Sequence, residues 1–376
     1  MRIAVLAEQE ANENRVAATP ETVKKFAGLG AEMVVQRGAG AGSGVRDADY
    51  EAAGAKLADG AAVLEGADIV LGVRRPANLP GLKAEALVVS IMDPYGNEAA
   101  LEGLAKAGAS AFAMELMPRI TRAQVMDVLS SQANLAGYRA VVDGAAEYGR
   151  AIPMMMTAAG TVPAAKVFIM GVGVAGLQAI ATARRLGAIV TATDVRPATK
   201  EQVESLGAKF LAVEDEEFKQ AQTAGGYAKE MSKEYQAKQA ELTASHIAKQ
   251  DIVITTALIP GRPAPKLISA DMVRSMRPGS VIVDLAVERG GNCELARAGE
   301  VVVVDGVKIV GHLNVAGRLA ATASALYAKN LFAFVETLID KKDKKLAVNW
   351  DDELVKATLL TKGGAIVHPN FQRKAP

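Results

Sequence analysis

The chain of 376 residues holds one cysteine, Cys293, and three histidines, His246, His312 and His368. A single cysteine excludes an intramolecular disulfide and suits a reducing cytoplasm. The histidines lie too far apart in sequence to suggest a local metal site, and no metal is expected. The longest uncharged run, Val167 to Ala183, has 17 residues broken by three glycines. That is shorter than a membrane span needs, so no membrane insertion of this chain is expected. The N-terminus, MRIAVLAEQ, lacks the architecture of a signal peptide. A formal net charge of +1 gives no reason to expect nucleic acid.

What is present is apolar and glycine-rich. Half the residues are hydrophobic and 23% are charged, which supports two cores of ordinary size. The most informative stretch is Lys166 to Asp194, KVFIMGVGVAGLQAIATARRLGAIVTATD. Val167–Met170 reads as a buried strand. Gly171-Val172-Gly173-Val174-Ala175-Gly176 follows at once, then an apolar helix, then a second strand closing on Asp194. In this context the glycines form a dinucleotide-binding fingerprint. Gly171 permits the tight turn, Gly173 admits a pyrophosphate to the backbone, and Gly176 lets helix and strand pack closely. The helix N-terminus offers free N–H groups to phosphates. Asp194, 23 residues beyond Gly171, stands where an acid meets the adenosine ribose. Its charge favours NAD(H), whereas Arg196, just beyond Val195, is of the type that accommodates a 2′-phosphate.

Along the chain, Arg2–Leu6 and Met33–Gln36 read as strands around a helix opened by Pro20. Gly38, Gly40, Gly42 and Gly44 fit no GxGxxG window and read as a flexible loop over a sheet end. Asp68–Val73, Leu87–Ile91 and Ala109–Ala113 extend a first doubly wound α/β unit. Thr121 to Gln124 has the spacing of a capping box and predicts a long helix running past Ala140. Later strands are expected at 209–213, 251–255, 280–284, 301–304 and 308–310. Residues 220–232, with Tyr227 as their only aromatic, read as a mobile surface loop. An Ala- and Leu-rich connector, 314–339, returns the chain to the first unit, and 354–360 with 365–368 reads as a closing hairpin. The expected architecture is α/β, with two Rossmann-like doubly wound parallel-sheet domains joined by long helices. Residues 1–127 with 318–376 form one and 128–317 the nucleotide-binding other.

Hydride exchange between a nicotinamide and a keto or imino acid also moves a proton, so it calls for a placed acid, usually histidine. None of the three histidines falls in residues 1–127, the N-terminal part of the first domain. Transfer from one nicotinamide directly to another moves hydride alone and needs alignment and exclusion of water. Met114 to Gly137 suits that task. Gln124 and Asp127 are i,i+3 on the predicted helix, Ser130 and Ser131 follow a turn later, and Arg119 precedes it.

The stretches MELMPRITRAQVMDVLSSQANLAGYRAV, PMMMTAAGTVPAAKVFIMGVGVAGLQAIATARRLGA, TAGGYAKEM, ITTALIPGRPAP and VIVDLAVERGGN together resemble the NAD(H)-binding α subunit of proton-translocating nicotinamide nucleotide transhydrogenases. By this resemblance Arg119, Gln124, Asp127 and Ser130 hold the nicotinamide end of NAD(H). Gly171 to Gly176, Asp194, Val195 and Arg196 hold pyrophosphate and ribose, Thr256 and Ala257 belong to the same site, and Tyr227 sits on the loop that closes over it. The resemblance further implies a homodimer and a separate partner subunit that binds NADP(H). Without hydrophobic spans, the chain resembles the split form, peripheral at the inner face of the cytoplasmic membrane beside a separate membrane-spanning subunit. Alanine dehydrogenases share the fold, and NENRVAATP with Arg15 resembles both groups. Where they carry a lysine before Glu-Pro and a catalytic histidine on a later strand end, this chain has Arg74-Arg75-Pro76 and Met92-Asp93-Pro94. A stand-alone amino-acid dehydrogenase is therefore the alternative reading.

Overall fold

The computed structural model describes residues 1–221 and 231–372. The chain divides into two compact units, Met1–Gln132 with Ala316–Pro376, and Ala133–Val315.

The first unit is built on an eight-stranded sheet. Its order is Ala365–Ile366, Leu359–Lys362, Ser110–Ala113, Leu87–Ile91, Ile69–Arg74, Arg2–Val5, Glu32–Gln36 and Lys56–Ala58. The six strands from the N-terminal segment run parallel, and the closing pair is added antiparallel against Ser110–Ala113. Runs such as Ile69 to Val73 are buried on both faces, which is why they read as continuous apolar segments rather than alternating ones. The helix Ala320–Glu336 brings the C-terminal segment back onto this sheet. Tyr327, Leu331 and Phe334 are fully buried on it, and the Tyr327 hydroxyl donates to the Gly72 carbonyl at 2.9 Å.

The second unit has a seven-stranded sheet in the order Lys209–Phe210, Ile189–Thr193, Lys166–Met170, Ile252–Thr255, Val281–Asp284, Val307–Val310 and Val301–Val304. All neighbours are parallel except the last pair. The helix Val128–Glu147 lays Gly144 against Ile252 and Val283, where a Cβ would stand 3.1 Å from the Ile252 side chain. At Gly137 a Cβ would overlap the Ala175 carbonyl, so this helix also meets the start of the fingerprint helix backbone to backbone.

Four local expectations need correction. Thr121 caps nothing: Thr121–Met126 is a 3₁₀ helix preceded by Ile120, with no side-chain cap. The α-helix starts at Val128, because the Asp127 carboxylate out-competes the earlier signal by accepting the Ser130 N–H at 2.9 Å. Gln124 and Asp127 therefore do not share an α-helical face. The Gly38–Gly44 segment is not a loose loop but holds a 3₁₀ turn, Ala41–Ser43. Gly42 packs on Asn14, and Ser43 lies 2.6 Å from Ser324. Finally, Glu353–Thr358 is helical, capped by Asp352, so the closing hairpin begins at Leu359.

Candidate functional site

In the second unit the strand Lys166–Met170 leads into Gly171 at φ +104°, a conformation that a side chain would strain. A Cβ there would also stand 2.5 Å from the Thr256 hydroxyl, which donates to the Gly171 carbonyl at 3.0 Å. Gly173 is the N-cap of the helix Val174–Arg185, and a Cβ on it would project into open space. That open space over a helix start is what an approaching phosphate requires, and the first-turn N–H groups have no partner within the helix. A Cβ on Gly176 would overlap the Gly171 carbonyl, so helix and turn meet at backbone distance.

Asp194 closes this turn from the neighbouring strand. Its Oδ2 accepts the Val172 N–H at 2.7 Å, and its Oδ1 accepts the Arg196 N–H at 2.9 Å. The Arg196 guanidinium folds back on the same carboxylate, Nε to Oδ1 and Nη2 to Oδ2, each at 2.9 Å. The pairing raises the Arg196 pKa above its ordinary value. All four lone-pair directions of the carboxylate are thus in use. Val174, Val195, Leu258 and Ile259 are exposed on this unit, the last three by about half. Gly171 to Gly176, Asp194, Arg196, Thr256 and Ala257 therefore share one neighbourhood. Tyr227 lies outside the described residues.

The first unit carries the other candidate residues. Asp127 Oδ2 accepts the Ser130 hydroxyl at 2.6 Å, so this pair is joined as well as capped. Arg119 and Gln124 are exposed. The 3₁₀ turn bearing Gln124 is held by Asn330, whose Nδ2 donates to the Val125 carbonyl at 2.8 Å and whose Oδ1 accepts Ser131 at 2.7 Å. A lone asparagine in an alanine-rich helix was the only sequence sign of that role.

An ionic cluster at the end of the first-unit strands was not foreseen. Glu13 is buried between Arg15, at 2.6 Å, and Arg74, at 2.8 Å, and Arg15 also donates to Gln132. Burial opposes ionisation of Glu13, but the hydrogen bonds and charges of Arg15 and Arg74 prevail and bring its pKa down to about 2. Glu8 accepts the Val73 and Arg74 N–H groups, yet burial dominates and pushes its carboxyl up to about 7. Glu8, Arg74 and Arg75 line a cavity of about 280 Å³. Arg15 carried a signal through NENRVAATP, which also spans Glu13, and Arg74 entered only through the contrast with alanine dehydrogenases.

His246 and His368 serve structure. His246 Nε2 lies 2.8 Å from the Thr191 hydroxyl, His368 contacts the Ala357 carbonyl, and His312 is half-buried. Among the described residues no His, Cys, Asp or Glu group could hold a metal, and no helix is long and apolar enough to cross a membrane.

Two doubly wound sheets, one of them opening on a glycine turn with an acid at the next strand end, define a Rossmann-like protein of the dehydrogenase type. The model of the alanine dehydrogenase/PNT N-terminal domain matches residues 4–136 and that of the C-terminal domain matches 140–369, so the chain belongs to the alanine dehydrogenase/PNT family. It is 57% identical to the first part of NAD(P) transhydrogenase subunit alpha of Rhodospirillum rubrum, over 98% of both chains. The crystal structure of a transhydrogenase from Sinorhizobium meliloti superposes with a TM-score of 0.89 at 63% identity, covering 98% of this chain and 100% of that one. Identity falls to 31% with the alanine dehydrogenase of Halomonas elongata, over 98% of this chain and 95% of that one. The chain is thus an oxidoreductase of the transhydrogenase α-subunit kind, and alanine dehydrogenase is the more distant relative.

Proposed function

We propose that this chain is the NAD(H)-binding subunit of a proton-translocating transhydrogenase, active only with partner subunits. It passes hydride directly between NADH and NADP⁺ held on a separate subunit, coupled to proton movement through a membrane-spanning subunit. The observation that carries the reading is the Gly171–Gly176 turn with Asp194 bonded to the Val172 N–H. An anion-binding helix start and a ribose-directed acid there stand one strand apart.

The nicotinamide supplies the hydride chemistry when bound. The chain's own role is to bind and align. Gly173 leaves room for the pyrophosphate, the first-turn N–H groups of the helix donate to it, and Asp194 accepts from the adenosine ribose. Arg119, Gln124, Asp127 and Ser130 hold the nicotinamide end, with Asp127 fixing the Ser130 hydroxyl and Asn330 fixing the turn beneath Gln124. No proton leaves the nicotinamide in such an exchange, so alignment is the larger demand.

The same reading makes the chain a homodimer, peripheral at the inner face of the cytoplasmic membrane. The two-stranded hairpin Met155–Thr157 with Gly160–Val162 supports the dimer. Among the described residues it pairs with no other strand, and Met156 is 78% exposed beside exposed Met154 and Met155. An isolated hairpin is marginal in water, and a clustered apolar surface needs cover.

The test is to mix the purified chain with an NADP(H)-binding partner subunit and follow reduction of an NAD analogue by NADPH. Exchange is expected in the mixture and not with the chain alone. Alanine-dependent NADH formation by the chain alone, or no exchange with both nucleotides bound, overturns the reading.

A further inference from the structure

Asn292 lies in a glycine turn after the strand Val281–Asp284 and is fully buried. Gly290 and Gly291 both have positive φ, and the Asp284 carboxylate fixes the turn by accepting the Ala286 and Cys293 N–H groups, each at 2.9 Å. The turn thereby aims the Asn292 carboxamide at a different segment. Oδ1 accepts the Ala257 N–H at 3.1 Å, and Nδ2 donates to the Ala257 carbonyl at 2.9 Å and the Pro265 carbonyl at 2.8 Å. One side chain therefore ties both ends of the 257–265 segment, which carries exposed Leu258 and Ile259 and no regular structure.

What Asn292 holds in place abuts the glycine turn. The Thr256 hydroxyl donates to the Gly171 carbonyl, and the Ala257 nitrogen is 3.3 Å from where a Cβ on Gly171 would stand. Sheet order then says which half of a dinucleotide meets this segment. Asp194 ends the strand on one side of Lys166–Met170, and Ile252–Thr255, which leads into Ala257, lies on the other. With pyrophosphate at the turn and adenosine ribose at Asp194, the nicotinamide half extends toward Ala257.

Resting on the reading that the second unit binds NAD(H), we infer that Asn292 is a positioning residue for the nicotinamide half of the nucleotide, acting through the Ala257 peptide. It touches no substrate itself. Its three hydrogen bonds set where the 257–265 segment stands against the pyrophosphate turn. No other side chain type of this size both donates twice and accepts at these positions.

The experiment compares NADH with AMP, which occupies only the adenosine half, by equilibrium titration of the full chain. Asn292→Ala is expected to weaken NADH about tenfold, on the scale of one or two lost hydrogen bonds, and to leave AMP within about twofold. Asn292→Asp keeps the acceptor but sets a carboxylate against two carbonyls, and should show the same split. It is read in place of Asn292→Ala if that variant does not fold. Unchanged NADH affinity overturns the inference, as does an equal fall for both ligands, which marks a merely structural residue. Asp194→Ala is the control and should weaken AMP and NADH alike. If the unaltered chain binds neither ligand, the NAD(H) reading itself fails, which is a different outcome.

Discussion

Arg196 is the more revealing partner in the Asp194 pair. Its guanidinium takes two of the four lone-pair directions of the carboxylate, and the Val172 and Arg196 N–H groups take the others. A ribose that bonds to Asp194 must therefore displace the guanidinium, while the two backbone bonds hold the carboxylate in place. The arginine side chain is 31% exposed, so the pair contributes only about 1 kcal/mol. That amount is subtracted from nucleotide binding. Arg196→Ala should thus tighten NADH by up to about 1 kcal/mol, roughly fivefold, and weaken NADPH by removing the nearest cation for a 2′-phosphate. Asp194→Ala should weaken NADH by roughly 1–3 kcal/mol, since it removes the acceptor and leaves the Val172 N–H without its partner. Fluorescence titration of both nucleotides against the three proteins reads all of this. Weaker NADH binding by Arg196→Ala would mean that the guanidinium holds the ligand, and the displacement reasoning would be refuted.

Three other outcomes follow from the geometry. Gln124→Asn should slow hydride exchange in the subunit mixture far more than it changes NADH affinity, because a small displacement is costly for alignment; an equal fall in both would point to plain binding. Glu8, with its folded pKa raised from 4.5 to about 7, adds stability that is complete below 4.5 and lost as pH rises through about 7, whereas Glu13, lowered to about 2, adds stability lost only as pH falls from 4.5 to about 2. Glu8→Gln should therefore gain on the unaltered chain by about 2–3 kcal/mol between about pH 5 and pH 8 in urea unfolding, and a pH-independent difference would refute the assignment. Met156→Asp should give a monomer by sedimentation with the melting temperature of the second unit little changed, and a persistent dimer would move the interface elsewhere.

The fingerprint was legible in the sequence because everything that makes it is local: a buried strand, a turn needing positive φ at Gly171, a helix and an acid one strand later. The helix at Val128 was not, since two cap signals compete within seven residues and only the fold shows that Asp127, not Thr121, accepts the free N–H groups. Asn292 and Ala257 are 35 residues apart, and nothing in either stretch marks the carboxamide as the one that reaches across. The Glu13–Arg15–Arg74 cluster escaped for the same reason, as Arg74 arrives from 61 residues away. Sequence reading found the glycines and Asp194 of the turn and missed Asn292, whose partner lies far away in sequence.

The first unit is assembled from both ends of the chain, with the second inserted between them. During synthesis residues 133–315 are complete before the helix Ala320–Glu336 has emerged, so the inserted unit is free to close first. Until then the first-unit sheet lacks Tyr327, Leu331 and Phe334, and its apolar face stays open to solvent or to a chaperone. Its two segments meet only across an insert of nearly two hundred residues, a long closure. The connectivity thus constrains the order of folding: the unit with the glycine turn is free to finish first, and the unit with Gln124 needs the end of the chain.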